Sequence, residues 1–200
     1  MFGQSPAGKP APLVKSTGSP FSPEDDQLLD ELERLTCCYF FEQASPETGL
    51  VKDRCNARKA TSDNTIVASI AATGFGLTAL CIGDMRGYIS RAEARDRVLA
   101  TLRFLHDKLP NHRGFFYHFA NINTGERVWD SEISSIDTAI LLCGILTCRT
   151  HFRDTDITLL AHSISNRVEW PGSPKIRRYF LTDGCRRRDS FRIAGTITTR

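Results

Sequence analysis

Three carboxylates fall within eight residues in the run Trp129-Asp130-Ser131-Glu132-Ile133-Ser134-Ser135-Ile136-Asp137. Glycoside hydrolysis needs two such groups, one acting as an acid of raised pKa and one as base or nucleophile. If a helix begins near Asp130, then Asp130 and Asp137 lie about two turns apart and share a face. Asp137 would then project from an otherwise apolar helix. A buried carboxylate is costly there unless it is paired, hydrogen-bonded or protonated. Phe116, Tyr117 and Trp129 are aromatic groups close by in the chain that could stack on sugar rings, and His118 stands among them. Asp53 and Arg54 sit in an earlier loop.

Each group also has a plainer reading. Asp130 can be a helix N-cap, and Glu132 can serve the helix dipole. Asp137 can be a structural hydrogen-bonding group. The Phe cluster can be core, and His118 a satisfied core histidine. Asp53 and Arg54 can be a loop ion pair worth roughly 0–1 kcal/mol. Residue types alone leave these alternatives open.

The elements that must position these groups read as helices. Ser22 caps the first, Pro23 fits its first turn, and Glu24, Asp25 and Asp26 suit its dipole. Leu28, Leu32, Leu35 and Tyr39 form one apolar stripe, predicting helix A over 24–43. Helix B is expected over 64–85, with Asp63 as a possible cap. It carries no charge before Asp84 and is apolar all round, so it is buried on all sides. Gly74 and Gly76 inside it point to close packing. Helix C (91–109) opens on the box Ser90-Arg91-Ala92-Glu93. Helix D (132–150) is nearly uncharged after Asp137, and helix E (156–169) shows one apolar face. Amphipathic and buried helices thus alternate, with long loops before B and D. Thr48-Gly49-Leu50-Val51-Lys52-Asp53 is echoed by Thr124-Gly125-Glu126-Arg127-Val128-Trp129-Asp130. A repeat of outer helix, loop and inner helix predicts an all-α fold, a partial (α/α)6 toroid of two and a half hairpins with its C-terminal half missing. Such an open ring leaves the apolar flanks of B and D partly uncovered, a surface for self-association.

Composition narrows the function classes. The net charge of +3 hides an uneven distribution. Residues 171–200 hold eight Lys/Arg and two Asp/Glu, and residues 1–23 hold two Lys and no acid, so residues 24–170 are net acidic. A nucleic-acid partner would have to rest on the basic tail alone, and none is expected. No segment has the length of a membrane span, and no membrane partner is expected. The N-terminus has no apolar signal core, which makes a cytoplasmic location the default. The seven cysteines follow no zinc or redox spacing, so neither metal nor cofactor is expected. Cys81, Cys143 and Cys148 read as small core residues. Three segments result: a disordered 1–21, a folded 22–170, and an unrelated basic tail, 171–200.

The blocks YFFEQASPETGLVKDR, ASIAATGFGLTAL, RGYISRAEARDRVLATLRFL, GFFYHF and WDSEISSIDTAILLCGIL, in that order between Leu28 and Trp170, resemble the glucoamylase-like (glycoamylase-like) domain family. The resemblance implies an (α/α)6 barrel, relatives that cleave β-1,2-glucan, and a glucan oligo- or polysaccharide as partner. It places the family's acidic loop-to-helix motif on Trp129, Asp130, Glu132 and Asp137, and brings Asp53 and Arg54 to the same mouth. The expected catalytic set is therefore Asp130, Glu132 and Asp137. The expected substrate-binding set is Asp53, Arg54, Tyr117, His118 and Trp129. The resemblance stops near Pro171, which reads as truncation after about Trp170. If a required carboxylate lies in the missing half, the chain does not turn over. The alternative function is a carbohydrate-binding or scaffold protein without catalysis.

Overall fold

Ser22 starts the first helix, α1 (Pro23–Glu42), as a complete capping box. Its hydroxyl accepts from the Asp25 N–H while the Asp25 carboxylate accepts from the Ser22 N–H. The structure, a computed structural model, describes residues 21–56 and 65–170. The proposed cap Asp63, the segment 1–20 and the tail 171–200 lie outside the described residues.

Four more helices follow: α2 (Ile70–Arg86), α3 (Arg91–Asp107), α4 (Ser135–Phe152) and α5 (Thr155–Asn166). α2 and α4, the two most apolar helices by sequence, pack on each other, with α1, α3 and α5 around them. The alternation of amphipathic and buried helices is thus realised as outer and inner layers. The described residues are all-α hairpins of an α/α toroid.

Glycine sets how closely the inner pair approaches. A Cβ on Gly144 would stand 2.2 Å from the Gly74 carbonyl oxygen, and one on Gly74 would meet the backbone of Ile140 and Leu141. The two backbones therefore touch where a side chain would hold them apart. Gly76 instead makes room for Val51 of the preceding loop. Leu77, Leu141 and Ile145 of this pair join Val98, Leu102 and Leu105 of α3 and Ile157 and Ile164 of α5 in one continuous core.

Several sequence expectations change here. Helix B begins at Ile70, because Val67–Ser69 is a strand, β1, and Ser69 is the cap. Short apolar β-branched text carries no period that separates strand from helix. Helix D begins at Ser135 with Ser134 as cap, so Asp130 and Glu132 lie outside it and Asp130 shares no helix face with Asp137. Cys143 is exposed rather than core, whereas Cys81 and Cys148 are buried with their sulfurs 3.6 Å apart. In the stripe of α1, Leu28, Leu32 and Leu35 stay about half exposed, at 56%, 51% and 49%. α1 meets α2 through its second half instead, where Glu33 takes Arg86 at 2.7 Å and the Tyr88 hydroxyl at 3.1 Å. Phe75 and Met85 of α2 and Ile136 of α4 are exposed, so helix B is not buried on all sides as expected.

Three further strands, β2 (Asn111–His112), β3 (Phe115–Phe116) and β4 (Phe119–Asn121), lie between α3 and α4. β2 and β3 form a hairpin whose turn, Arg113-Gly114, has positive φ at both residues, the conformation of a tight hairpin turn. β4 pairs antiparallel with β1, setting Val67 opposite Asn121 and Ser69 opposite Phe119.

Candidate active site

The strands form a small β layer over the N-termini of both inner helices. The Ile70 N–H donates to the His118 carbonyl at 3.2 Å, the His118 N–H to the Glu132 carbonyl at 3.0 Å, and the Ser134 N–H to the Phe116 carbonyl at 3.0 Å. His118 is thereby fixed between the start of α2 and the segment that leads into α4.

Two successive hairpins build this layer in the same way. In the first, the Ser69 N–H donates to the Val51 carbonyl, and the Thr73 hydroxyl donates to the Ser69 carbonyl while accepting from the Val51 N–H. In the second, Ser134, Phe116 and Thr138 make the same three bonds. The isolated bridges Lys52↔Ala68 and Tyr117↔Ile133 correspond, as do the bonds from the Asp53 N–H to the Val67 carbonyl and from the His118 N–H to the Glu132 carbonyl. Each residue of the second hairpin stands 65 positions after its counterpart. His118 therefore corresponds to Asp53, Glu132 to Val67, and Asp137 to Ala72.

This corrects the correspondence expected from the Thr-Gly echo. Ser45–Leu50 and Asn121–Glu126 do form the same turn. In each the Gly N–H returns to the carbonyl four residues back, and the Thr hydroxyl accepts from the N–H two residues on. The turns sit at different places in their hairpins, however, so Asp130 is not the second copy of Asp53.

Three of the expected site residues converge. His118 Nδ1 lies 3.6 Å from Glu132 Oε1 and 3.6 Å from Asp137 Oδ2. The Asp137 side chain is 10% exposed, and its Oδ2 is buried with no hydrogen-bond partner. The Ser134 hydroxyl that caps α4 accepts from the Asp137 backbone N–H, which fixes the root of the side chain. Glu132 is half exposed. Its carboxyl is held below the usual carboxylate range, first by its own backbone N–H and then by the His118 imidazole. The two carboxylate oxygens share one nitrogen as neighbour and so lie no more than about 7 Å apart.

The other expected residues surround this centre at different distances. Trp129 and Asp130 are exposed on the loop before Glu132. Phe119 links Trp129 to the centre, stacking on His118 at 3.9 Å and meeting the indole edge-on at 5.3 Å. Tyr117 is half-buried beneath the Arg127 guanidinium, 4.9 Å from its ring centre. Asp53 and Arg54 pair with each other at 2.5 Å, with Arg54 75% exposed, and they share with His118 the β layer rather than a side-chain contact. Phe116 is fully buried, which removes it as a sugar platform. Sequence reasoning passed over Arg127, whose guanidinium donates to the carbonyls of Asp130 and Ser131. Among the described residues no group of three or more His, Cys, Asp or Glu could hold a metal ion, and no helix is long and apolar enough to cross a membrane.

Comparison with known proteins supports the fold. No family model matches the chain. An exo β-1,2-glucooligosaccharide sophorohydrolase (non-reducing end) of Parabacteroides distasonis is 30% identical over 167 residues, which is 78% of this chain and 22% of that protein. The crystal structure of a β-1,2-glucanase from Parabacteroides distasonis superposes with a TM-score of 0.61 at 30% identity, covering 76% of this chain and 22% of the other. That of an endo-β-1,2-glucanase from Chitinophaga pinensis, in complex with sophorotriose and glucose, gives 0.58 at 25% identity over 71% and 35%. The chain is homologous to these proteins and spans between about a fifth and a third of their length.

Proposed function

We propose that this chain, homologous to β-1,2-glucan hydrolases, carries part of a glycoside hydrolase site for a β-1,2-linked glucan, centred on His118, Glu132 and Asp137. One observation carries the reading: Nδ1 of His118 faces two carboxylates at equal distance, one of them buried and unpartnered. A ring nitrogen carries at most one proton and can serve only one carboxylate at a time. A small movement of the ring favours one carboxylate over the other, and glycosidic cleavage needs such a difference: one carboxyl protonated to donate to the leaving oxygen, the other ionised to activate water or attack the sugar. The buried Asp137 oxygen is poised for a donor, and the burial that makes its vacancy costly strengthens any bond formed there.

Glu132, kept ionised by its own amide and by His118, is the carboxylate suited to accept a proton or steady positive charge at the sugar ring. Asp130 supplies a third carboxylate on the exposed loop. Tyr117, Trp129, Asp53 and Arg54 are assigned to substrate binding at the rim.

The test is calorimetric titration with a β-1,2-linked glucotriose, run beside an assay of reducing ends released from linear β-1,2-glucan. Micromolar to millimolar binding, abolished in D137N, is the expected result. Release of oligosaccharide would make the chain an enzyme in its own right. Binding without release would support the alternative, a carbohydrate-holding module. A chain that folds but gives neither binding nor release would overturn the proposal.

A further inference from the structure

The loop from Arg127 to Ser131 concentrates unusual backbone. Trp129 (φ 56°) and Asp130 (φ 49°) are consecutive non-glycine residues in the left-handed region. Each such residue costs on the order of a kilocalorie and persists only where its surroundings impose it. Arg127 is what imposes it here. Its Nε donates to the Ser131 carbonyl at 2.7 Å, a second guanidinium nitrogen donates to the Asp130 carbonyl, and the Tyr117 ring supports the guanidinium from below. The planar fork of arginine suits two carbonyls at once, and a lysine could not hold both in the same way.

The strained turn turns the largest apolar side chain of the loop outward. Trp129 is 67% exposed, yet its ring meets that of Phe119 at a steep angle, 71°, and Phe119 itself stacks on His118. An indole wedged on one side and open on the other presents a flat face, which the C–H surface of a pyranose ring covers well. Trp129, Phe119 and His118 form a continuous path from that face to Asp137 and Glu132.

We propose that Trp129 is the stacking platform for the glucose unit next to the one held at Asp137, and that Arg127 is the residue that positions it. The proposal rests on the glucan-binding reading above.

Trp129 and Trp170 are the two tryptophans of the chain, and Trp170 lies against Phe115 outside the site. A W170F protein therefore reports Trp129 alone. Titration with a β-1,2-linked glucotriose should shift its emission to the blue and shield it from acrylamide. W129A should weaken calorimetric binding by about tenfold, the loss of one stacking contact. R127A and R127K should weaken it comparably and, before any sugar is added, lower the fluorescence anisotropy of Trp129, with little change in melting temperature. Should R127A not melt cooperatively, W129A, an exposed change, and R127K carry the test. Calorimetric binding with Trp129 emission and quenching unchanged would overturn the platform and leave the glucan site standing. Unaltered affinity in R127A would overturn the positioning role. No calorimetric binding at all would remove both this proposal and the function it rests on.

Discussion

Asp137 stands in the second hairpin where Ala72 stands in the first. Both residues lie three positions after the capping serine, and both have their N–H bonded to its hydroxyl. The frame around them is the same, down to the threonine one residue further on. The toroid therefore folds this corner with a methyl group in one copy and a carboxylate in the other. The first hairpin closes the same corner without a buried carboxylate, which is the support for assigning Asp137 to the proposed site.

D137A should consequently leave stability intact. Truncation removes a buried oxygen that lacks a donor, so urea unfolding should give a free energy within about 1 kcal/mol of the parent, or higher. Oligosaccharide binding should be lost. A fall of about 3 kcal/mol or more would show Asp137 to be a structural group, as its plainer sequence reading held.

The threonines behave oppositely. Thr73 is fully buried, and its hydroxyl serves two backbone groups, donating to Ser69 at 2.9 Å and accepting from Val51 at 3.1 Å. T73V keeps the volume but leaves the Val51 N–H without an acceptor. Denaturant unfolding should show a loss of about 1–3 kcal/mol, and T138V should lose a similar amount through the Phe116 N–H. A loss under about 0.3 kcal/mol in both would mean that water or a neighbour satisfies these amides, and the repeated bond would then not be what holds the β layer to the helices.

Much of this was legible in the sequence because the signals were local. Caps at Ser22 and Ser90, helical spacing in α1 and α3, and the long apolar stretches of α2 and α4 follow from rules that act within a turn or two. The helix starts above the site were not legible. Val67-Ala68-Ser69 reads as a continuation of the apolar helix, and its strand character comes from pairing with Phe119–Asn121, far along the chain. Asp130 looks like a cap, but its left-handed backbone excludes it from one, and its carbonyl accepts from Arg127 instead. The 65-residue repeat was also hidden. Val51 and Phe116 share only a backbone role, whereas the louder Thr-Gly echo marks a common turn. The convergence of His118, Glu132 and Asp137 depends on three elements meeting, which no spacing along one of them reveals.

Gly144 offers a test of the inner helix pair. A methyl group there would sit 2.2 Å from the Gly74 carbonyl oxygen and 3.0 Å from its Cα, all backbone atoms that cannot turn aside. G144A should force α2 and α4 apart and cost about 1–3 kcal/mol or more. Gly87, which closes α2 with φ 73° and has nothing near its absent Cβ, supplies the contrast, since G87A meets backbone strain but no clash and should cost about 1 kcal/mol. Equal melting temperatures for the two variants would contradict the close approach.

The acid limb of the stability curve should carry a contribution from Glu132. Its folded carboxyl titrates below its unfolded value, because its own amide and His118 favour the charged form. A group depressed in this way stabilises the fold above its unfolded pKa, and that contribution is lost as pH falls through the folded one. The loss therefore belongs below the ordinary carboxylate range, not near neutrality. Half exposure screens the interaction, so the effect should be small. E132Q should melt slightly below the parent near pH 7, where that small contribution is present, and the two curves should converge as pH falls through the folded carboxyl. The same substitution replaces one of the two carboxylates facing His118 by a neutral amide that cannot take a proton, so turnover, where the assay detects it, should fall across the whole pH range. A variant that instead loses as much stability below the carboxylate range as at neutral pH would show that Glu132 matters to the fold through something other than its charge.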